Sequence, residues 1–214
     1  MSPPSREALL AAIKKALEDS DRGNFKQSVE LIIALKDIDV KSQAAKIREV
    51  VFLPKGRGKD LKICVVGDGD FLEAAKEGGA YLTISSTDLK NIDKKQAKKA
   101  ASTCDWILVR SDLMGVVGRA MGPFLGPRGK VPVPVPSGSN VKALISRYKN
   151  AVLIRLKDQP QIMTAIGTED LRPEDLVENA LAVLNLVESK LPAGSVNIKQ
   201  IYVKTTMGIP IEVL

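Results

Sequence analysis

The regular spacing of apolar residues changes twice along the chain, and this constrains the fold more than any single motif does. The N-terminal stretch opens with apolar residues at Leu9, Leu10, Ile13, Ala16 and Leu17, a helical spacing over Ser5 to Glu18 with Ser5 placed to cap it. Pro3 and Pro4 suggest a mobile start, and Gly23 and Asn24 break the pattern. Ser28 to Leu35 and Ile47 to Leu53 then read as strands, the first alternating at Val29, Leu31, Ile33 and Leu35. After the basic, glycine-rich connector Pro54-Lys55-Gly56-Arg57-Gly58-Lys59 the rhythm becomes strand, helix, strand, helix, strand. Lys62 to Val66, Tyr81 to Ile84 and Trp106 to Val109 read as strands, and Phe71 to Glu77 and Asp88 to Ala101 as helices. That alternation predicts parallel β-α-β units. Leu113 to Met121 and Val141 to Tyr148 read as further helices, and Pro132, Pro134 and Pro136 exclude a central strand between them. Beyond Asn150 the first rhythm returns. Ala151 to Lys157, Ile162 to Ile166, Ile198 to Lys204 and Ile209 to Val213 read as strands around a helix over Pro173 to Lys190.

The expectation is therefore two domains of α+β and α/β class. A split α+β domain is built from residues 1–59 and 152–214, and a Rossmann-like, three-layer α/β domain of residues 60–151 is inserted in it. The connectors at Lys55 to Lys59 and Tyr148 to Asn150 would form a double hinge.

Composition narrows the function. The 214 residues carry 32 basic and 25 acidic side chains, a formal charge of +7, and a pI near 9.4. Such a balance suits nucleic acid or an anionic surface. The insert holds fourteen basic and nine acidic residues, so +5 of the charge lies there and +2 in the outer parts. Histidine is absent, which removes Ser-His-Asp and Cys-His catalysis and any imidazole zinc site. No metal or cofactor is expected. No run approaches the roughly 20 apolar residues of a membrane span, and no signal-peptide pattern opens the chain. The only two cysteines, Cys64 and Cys104, read as buried thiols in a reducing cytoplasm. Aromatic residues are 4%, too few for a base-stacking platform to be the main binding device.

Single motifs are weak. Gly67-Asp68-Gly69-Asp70 is half of a dinucleotide fingerprint, but Leu72 stands at the third glycine and the aspartates oppose a pyrophosphate. A tight turn before an acidic helix start explains it. In Gly126-Pro127-Arg128-Gly129-Lys130, Phe124 occupies the first glycine position of a P-loop and Val131 follows the lysine; a structural turn and an anion-binding loop both remain open. Lys55 to Lys59 reads as a solvated linker or a phosphate contact, and Lys94, Lys95, Lys98 and Lys99 as a solvated helix face or an RNA contact made by charge. Thr205-Thr206-Met207-Gly208 reads as an ordinary turn or a compact surface for 2′-hydroxyl and sugar contacts. A nucleotide-binding α/β protein and a basic protein–protein adaptor are the alternatives left by these motifs.

In this order, however, the pieces resemble the universal large-subunit ribosomal protein family L-one, the family of the mobile ribosomal stalk. The resemblance runs from Phe25-Lys26-Gln27-Ser28-Val29 through Leu35-Lys36-Asp37-Ile38-Asp39 and Leu53-Pro54-Lys55-Gly56-Arg57-Gly58-Lys59. It continues through Leu113-Met114-Gly115, Leu125 to Lys130, Pro132 and Glu178-Asn179, and ends at Thr205-Thr206-Met207-Gly208. It covers nearly the whole chain, in an archaeal style. Gln27 stands where many members carry an acidic residue, and Ile209 where the family usually has proline, which arrives here as Pro210.

The resemblance implies a split terminal domain that carries the principal RNA site, at Phe25, Lys26, Ser28 and Glu30, with Lys36 nearby. It also implies an RNA-facing turn at Thr205, Thr206, Met207 and Gly208, and a contact loop at Gly167, Thr168 and Glu169 before the Pro173 helix. It further implies a non-enzymatic, cytoplasmic protein of the ribosome that is a monomer off it. The implied partners are large-subunit rRNA, exit-site tRNA whose release it assists, the protein's own mRNA whose translation it represses, and other ribosomal components.

Overall fold

The computed structural model describes residues 4–20, 25–40 and 46–213. Pro3 and the break at Gly23 and Asn24 lie outside these. The chain divides into two compact units, residues 1–59 with 150–214, and residues 60–149.

In the outer unit, α1 (Arg6–Glu18) is capped by the Ser5 hydroxyl, which accepts from the Ala8 N–H at 3.1 Å. β1 (Ser28–Leu35) alternates as its sequence does, burying Val29, Leu31, Ile33 and Leu35. It sits between β8 (Gln161–Thr168) and β9 (Ile198–Thr205), with the short β10 (Ile211–Glu212) at the far edge, all antiparallel. A bulge between Val29 and Glu30 lets Ser28 pair with Thr168 while Glu30 pairs with Ala165. β2 (Arg48–Phe52) and β7 (Ala151–Arg155) form a separate ladder. Because Ala151 pairs with Phe52, the outer unit resumes slightly before the position the rhythm gave. α7 (Pro173–Lys190) runs over the span the sequence suggests. Leu9 and Ile13 of α1 and Leu176, Ala180 and Val183 of α7 pack on the inward side chains of the sheet. The other sheet face, with Ser28, Glu30, Ile32 and Ala34, stays partly open to solvent.

The inner unit is a parallel sheet in the order β4-β3-β5-β6: β3 (Ile63–Gly67), β4 (Leu82–Ser85), β5 (Trp106–Arg110) and β6 (Val133–Val135). β3 is buried throughout, as a central parallel strand must be. α3 (Ser86–Lys90), α4 (Lys94–Thr103) and α5 (Met114–Leu125) cover one face, and α2 (Asp70–Glu77) and α6 (Val141–Tyr148) the other. The three-proline run forms only a short edge strand, where a missing N–H costs little. The single helix expected over Asp88 to Ala101 is two, because Ser85 and Asp93 each begin a helix of their own.

One sequence reading is overturned here. Cys64 and Cys104 are buried, as expected, but they are joined as a disulfide rather than held as thiols. Cys64 lies on β3 and Cys104 follows the last turn of α4. The chain folds back so that their Cα atoms stand 5.8 Å apart, within disulfide reach, although 40 positions separate them. A count of two cysteines excludes a disulfide-rich scaffold but says nothing about such an approach.

Candidate nucleic-acid interface

The N-terminal end of β1 gathers most of the candidate residues. Phe25 is about half exposed, and Lys26 pairs with Asp170. Ser28 is bound to Thr206 by three hydrogen bonds: the Ser28 N–H donates to Thr206 Oγ1 at 3.2 Å, and the Thr206 N–H and hydroxyl donate to the Ser28 carbonyl at 3.0 and 3.3 Å. Met207 follows with two thirds of its surface exposed. The turn closes as the Gly208 N–H donates to the Thr205 carbonyl at 3.1 Å. A Cβ at Gly208 would stand 2.3 Å from Thr205 Oγ1, so the close approach excludes any larger residue without displacing that hydroxyl. Glu30 faces Lys204 in register on the open sheet face, and Lys204 Nζ donates to the Thr206 carbonyl at 3.2 Å.

Gln27 organises this surface, though the sequence singled it out only as a departure. It is fully buried. Its Oε1 accepts from the Met207 N–H at 2.9 Å, and its Nε2 donates to Ser20 Oγ at 2.9 Å. Its backbone N–H donates to Glu169 Oε1 at 3.1 Å, and its carbonyl accepts from the Glu169 N–H at 3.1 Å. One residue thus ties the Met207 turn to the Glu169 turn and to the end of α1. An acidic residue there could still accept from Met207, while the Ser20 hydroxyl would have to reverse and donate.

Four candidates are placed otherwise than the sequence suggests. Gly167 and Thr168 are the buried last residues of β8 rather than a turn, because the bulge opposite Val29 prolongs that strand; only Glu169 enters the turn. The Thr168 and Thr205 hydroxyls are buried without hydrogen-bond partners among the described residues, and Thr168 Oγ1 would stand 2.1 Å from a Cβ on Gly58. They shape the surface from beneath. Lys36 is exposed but lies just past the opposite end of β1, about 25 Å along the strand from Ser28. The structure does not bring it to the cluster.

The charges of the gathered surface nearly cancel. Lys26 and Lys204 face Glu30, Glu169 and Asp170, so fit rather than net charge must supply any selectivity there.

Three of the other motifs make local structural contacts. At the end of β3, Asp68 Oδ1 accepts from the Ser86 N–H at 2.9 Å, and Arg110 reaches Asp68 at 3.4 Å while clasping Asp112 at 2.7 Å. The Ser86 N–H, then Arg110, hold the Asp68 carboxyl below its usual range. A carboxylate so held lies at the β3–β5 crevice, where a doubly wound sheet takes its ligand, and opposes a phosphate there. In the other glycine-rich loop, Lys130 Nζ donates to the carbonyls of Ala101, Ser102 and Cys104 at 3.1, 3.2 and 2.5 Å, and Arg128 donates to the Phe124 carbonyl at 2.8 Å. Of the two readings left open for this loop, the structural turn is the one its contacts describe: Lys130 caps the C-terminal end of α4. The Lys55 to Gly58 connector is held by Asn179 of α7, whose Oδ1 accepts from the Lys55 N–H at 3.0 Å. Its Nδ2 donates to the carbonyls of Gly56 and Ile166, both at 2.8 Å.

An outer antiparallel unit that presents a preformed polar turn, interrupted by a parallel α/β insert, is the two-part class of protein these observations define. Residues 12–209 match the model of the Ribosomal protein L1p/L10e family, and the chain belongs to that family. Curated relatives named large ribosomal subunit protein uL1 include that of Staphylothermus marinus, 57% identical over the whole of both chains. That of Aeropyrum pernix is 54% identical over 98% of each, and that of Methanothermobacter thermautotrophicus 43% identical over 98% of this chain and all of the relative. The chain is a ribosomal protein of archaeal kind, and its place is the cytoplasmic ribosome.

Proposed function

We propose that this protein is a structural constituent of the large subunit that binds a folded element of large-subunit rRNA through the surface of Phe25, Lys26, Ser28, Glu30, Thr206, Met207 and Gly208. Gln27 and Glu169 position that surface. The observation that carries the reading is the Met207 turn, an exposed apolar side chain on a backbone fixed from three directions by Gln27, Ser28 and Thr205. A-form RNA offers 2′-hydroxyls and sugar edges in a shallow groove, which a rigid, nearly neutral surface of this kind fits by shape. The mixed charges imply few phosphate contacts, each of which would cost roughly 0.7–0.9 log units of affinity per tenfold rise in salt.

Two further steps are part of this reading, with family membership as their support. The chain crosses between its units twice, at Lys59 and Lys149, which is the linkage a swinging stalk requires. The insert, with its charge of +5, would then meet exit-site tRNA and assist its release. An rRNA-like fold in the protein's own mRNA would occupy the same surface and repress translation. No catalytic role is assigned.

The test is binding to an rRNA stalk fragment and to an unrelated duplex of equal length, at two salt concentrations, with Met207→Asp in parallel. Preference for the stalk fragment that survives high salt and is lost in the folded variant supports the reading. Equal, salt-sensitive binding to both RNAs, or a variant with unchanged affinity, refutes it.

A further inference from the structure

The strongest unassigned feature lies in the inner unit, away from the Met207 turn. β4 pairs with β3 on one side, and no described strand pairs with its other side. Soluble proteins commonly blunt such an edge with charge or proline. Here the edge is Leu82-Thr83-Ile84-Ser85, with neither. Tyr81 and Leu82 are exposed at its start, and Lys62 Nζ lies 4.8 Å from the centre of the Tyr81 ring. Beside the edge runs a groove of about 590 Å³ between β4 and α4, lined by Tyr81, Leu82 and Ile84 on the strand side and by Ile92, Gln96 and Ala100 on the helix side. Lys99 also lines it, and the exposed lysines Lys90, Lys94, Lys95 and Lys98 extend the positive field around it. Among the described residues none of these five lysines has a carboxylate partner. The one acid among the described residues lining the groove, Asp88, is engaged at home, accepting from the Ser85 hydroxyl at 2.7 Å.

We propose that this groove docks an extended, acidic segment of a partner protein, which adds as a strand along β4 beneath α4. An open strand edge facing a helix across an apolar trough is the geometry in which main-chain hydrogen bonds supply affinity and alternate side chains supply specificity. The segment's inward residues would be apolar, to fill the trough at Leu82, Ile84 and Ile92. Its outward residues would be Asp or Glu, to meet the lysines. A nucleic-acid strand is the less suitable occupant, because among the described residues Tyr81 is the only aromatic ring lining the groove on which a base could stack.

The probe is a library of displayed random twelve-residue peptides selected on the full-length protein, with counter-selection on a Leu82→Glu, Lys99→Glu double variant. Leu82 and Lys99 are both exposed, so the variant is expected to keep its thermal midpoint. The expected result is enrichment of peptides that alternate acidic and apolar residues. They should bind the parent at least tenfold more tightly than the variant, weaken several-fold between 50 and 500 mM salt, and slow amide exchange at residues 82–85. No enrichment over the variant overturns the proposal, as does enrichment of peptides that protect amides elsewhere. Saturable protection of 82–85 by a short single-stranded RNA, in the absence of any such peptide, overturns it in favour of a nucleic-acid site.

Discussion

Replacing Asn179 by alanine should loosen the outer unit by about 3 to 5 kcal/mol. Asn179 is fully buried and satisfies three backbone groups from two distant segments: the N–H of Lys55, the carbonyl of Gly56 and the carbonyl of Ile166. Truncation strands all three. The Ile166 carbonyl has no access to water and bears the full cost of roughly 1–3 kcal/mol for an unsatisfied buried group. The two connector groups are half-buried and recover some hydration, at about 1 kcal/mol each. At a urea dependence of about 2 kcal/mol per molar the midpoint falls by about 2 M. The assay is urea unfolding followed by far-ultraviolet dichroism, with the fluorescence of Trp106, the only tryptophan and a residue of the insert, as the internal reference. Asn179→Asp sharpens the test. It is isosteric and keeps the acceptor for Lys55, yet it sets carboxylate oxygens against two carbonyls. At pH 7 it should be no more stable than the alanine variant. The misplaced carboxyl has a raised pKa in the folded state, so the aspartate variant should gain on the alanine variant as the pH falls from 7 toward 5. A loss under 1 kcal/mol for Asn179→Ala, or an aspartate variant as stable as the parent at pH 7, refutes the reasoning.

Gln27→Glu should cost less than about 1 kcal/mol, because the Ser20 hydroxyl can reverse, whereas Gln27→Leu loses the hydrogen bonds to Ser20 and Met207 and should cost about 2–3 kcal/mol; thermal melting measures both variants. Under the proposed function, stalk-RNA affinity should follow the same order. Reducing the Cys64–Cys104 disulfide releases a 40-residue constraint and should destabilise the insert by up to about 4 kcal/mol, seen as an earlier urea transition of Trp106 with dithiothreitol than without. The carboxyls of Asp68 and Asp112 are held below their usual range, Asp68 by the Ser86 N–H and Arg110, Asp112 by Arg110. Their contribution is therefore complete above about pH 4 and is lost as the pH falls through the lowered folded values. Arg110→Met should flatten the acid side of the Trp106 stability profile.

Much of the fold was legible because its signals are periodic and local. The alternation of Val29 to Leu35 is the burial pattern of β1, and the boundaries of α7 follow from Pro173 at its start and the end of its apolar stripe at Leu191. The candidate site itself was not legible from residue types. Phe25, Ser28, Thr206 and Met207 stand out only because the family resemblance places its RNA contacts there; read alone, the stretch that holds Thr206 and Met207 is an ordinary turn. The remainder depends on meetings between segments far apart in the chain. Gln27 looks like an unremarkable polar residue entering a strand until Met207, 180 positions later, places an N–H against its amide. Asn179 occupies a buried position on the apolar stripe of α7, where a polar side chain needs partners that the helix does not supply; the connector provides two of them and Ile166 of β8 the third. Cys64 and Cys104 are of the same kind, each ordinary alone. Buried polar groups must be satisfied, so a polar residue at an apolar position in a sequence marks a long-range contact even when its partner cannot be named. Among the described residues that rule applies to three buried amides, Gln27, Asn179 and Asn197; Gln27 holds the Met207 turn and Asn179 the first connector to the insert, the two features on which the proposed RNA binding and stalk movement depend.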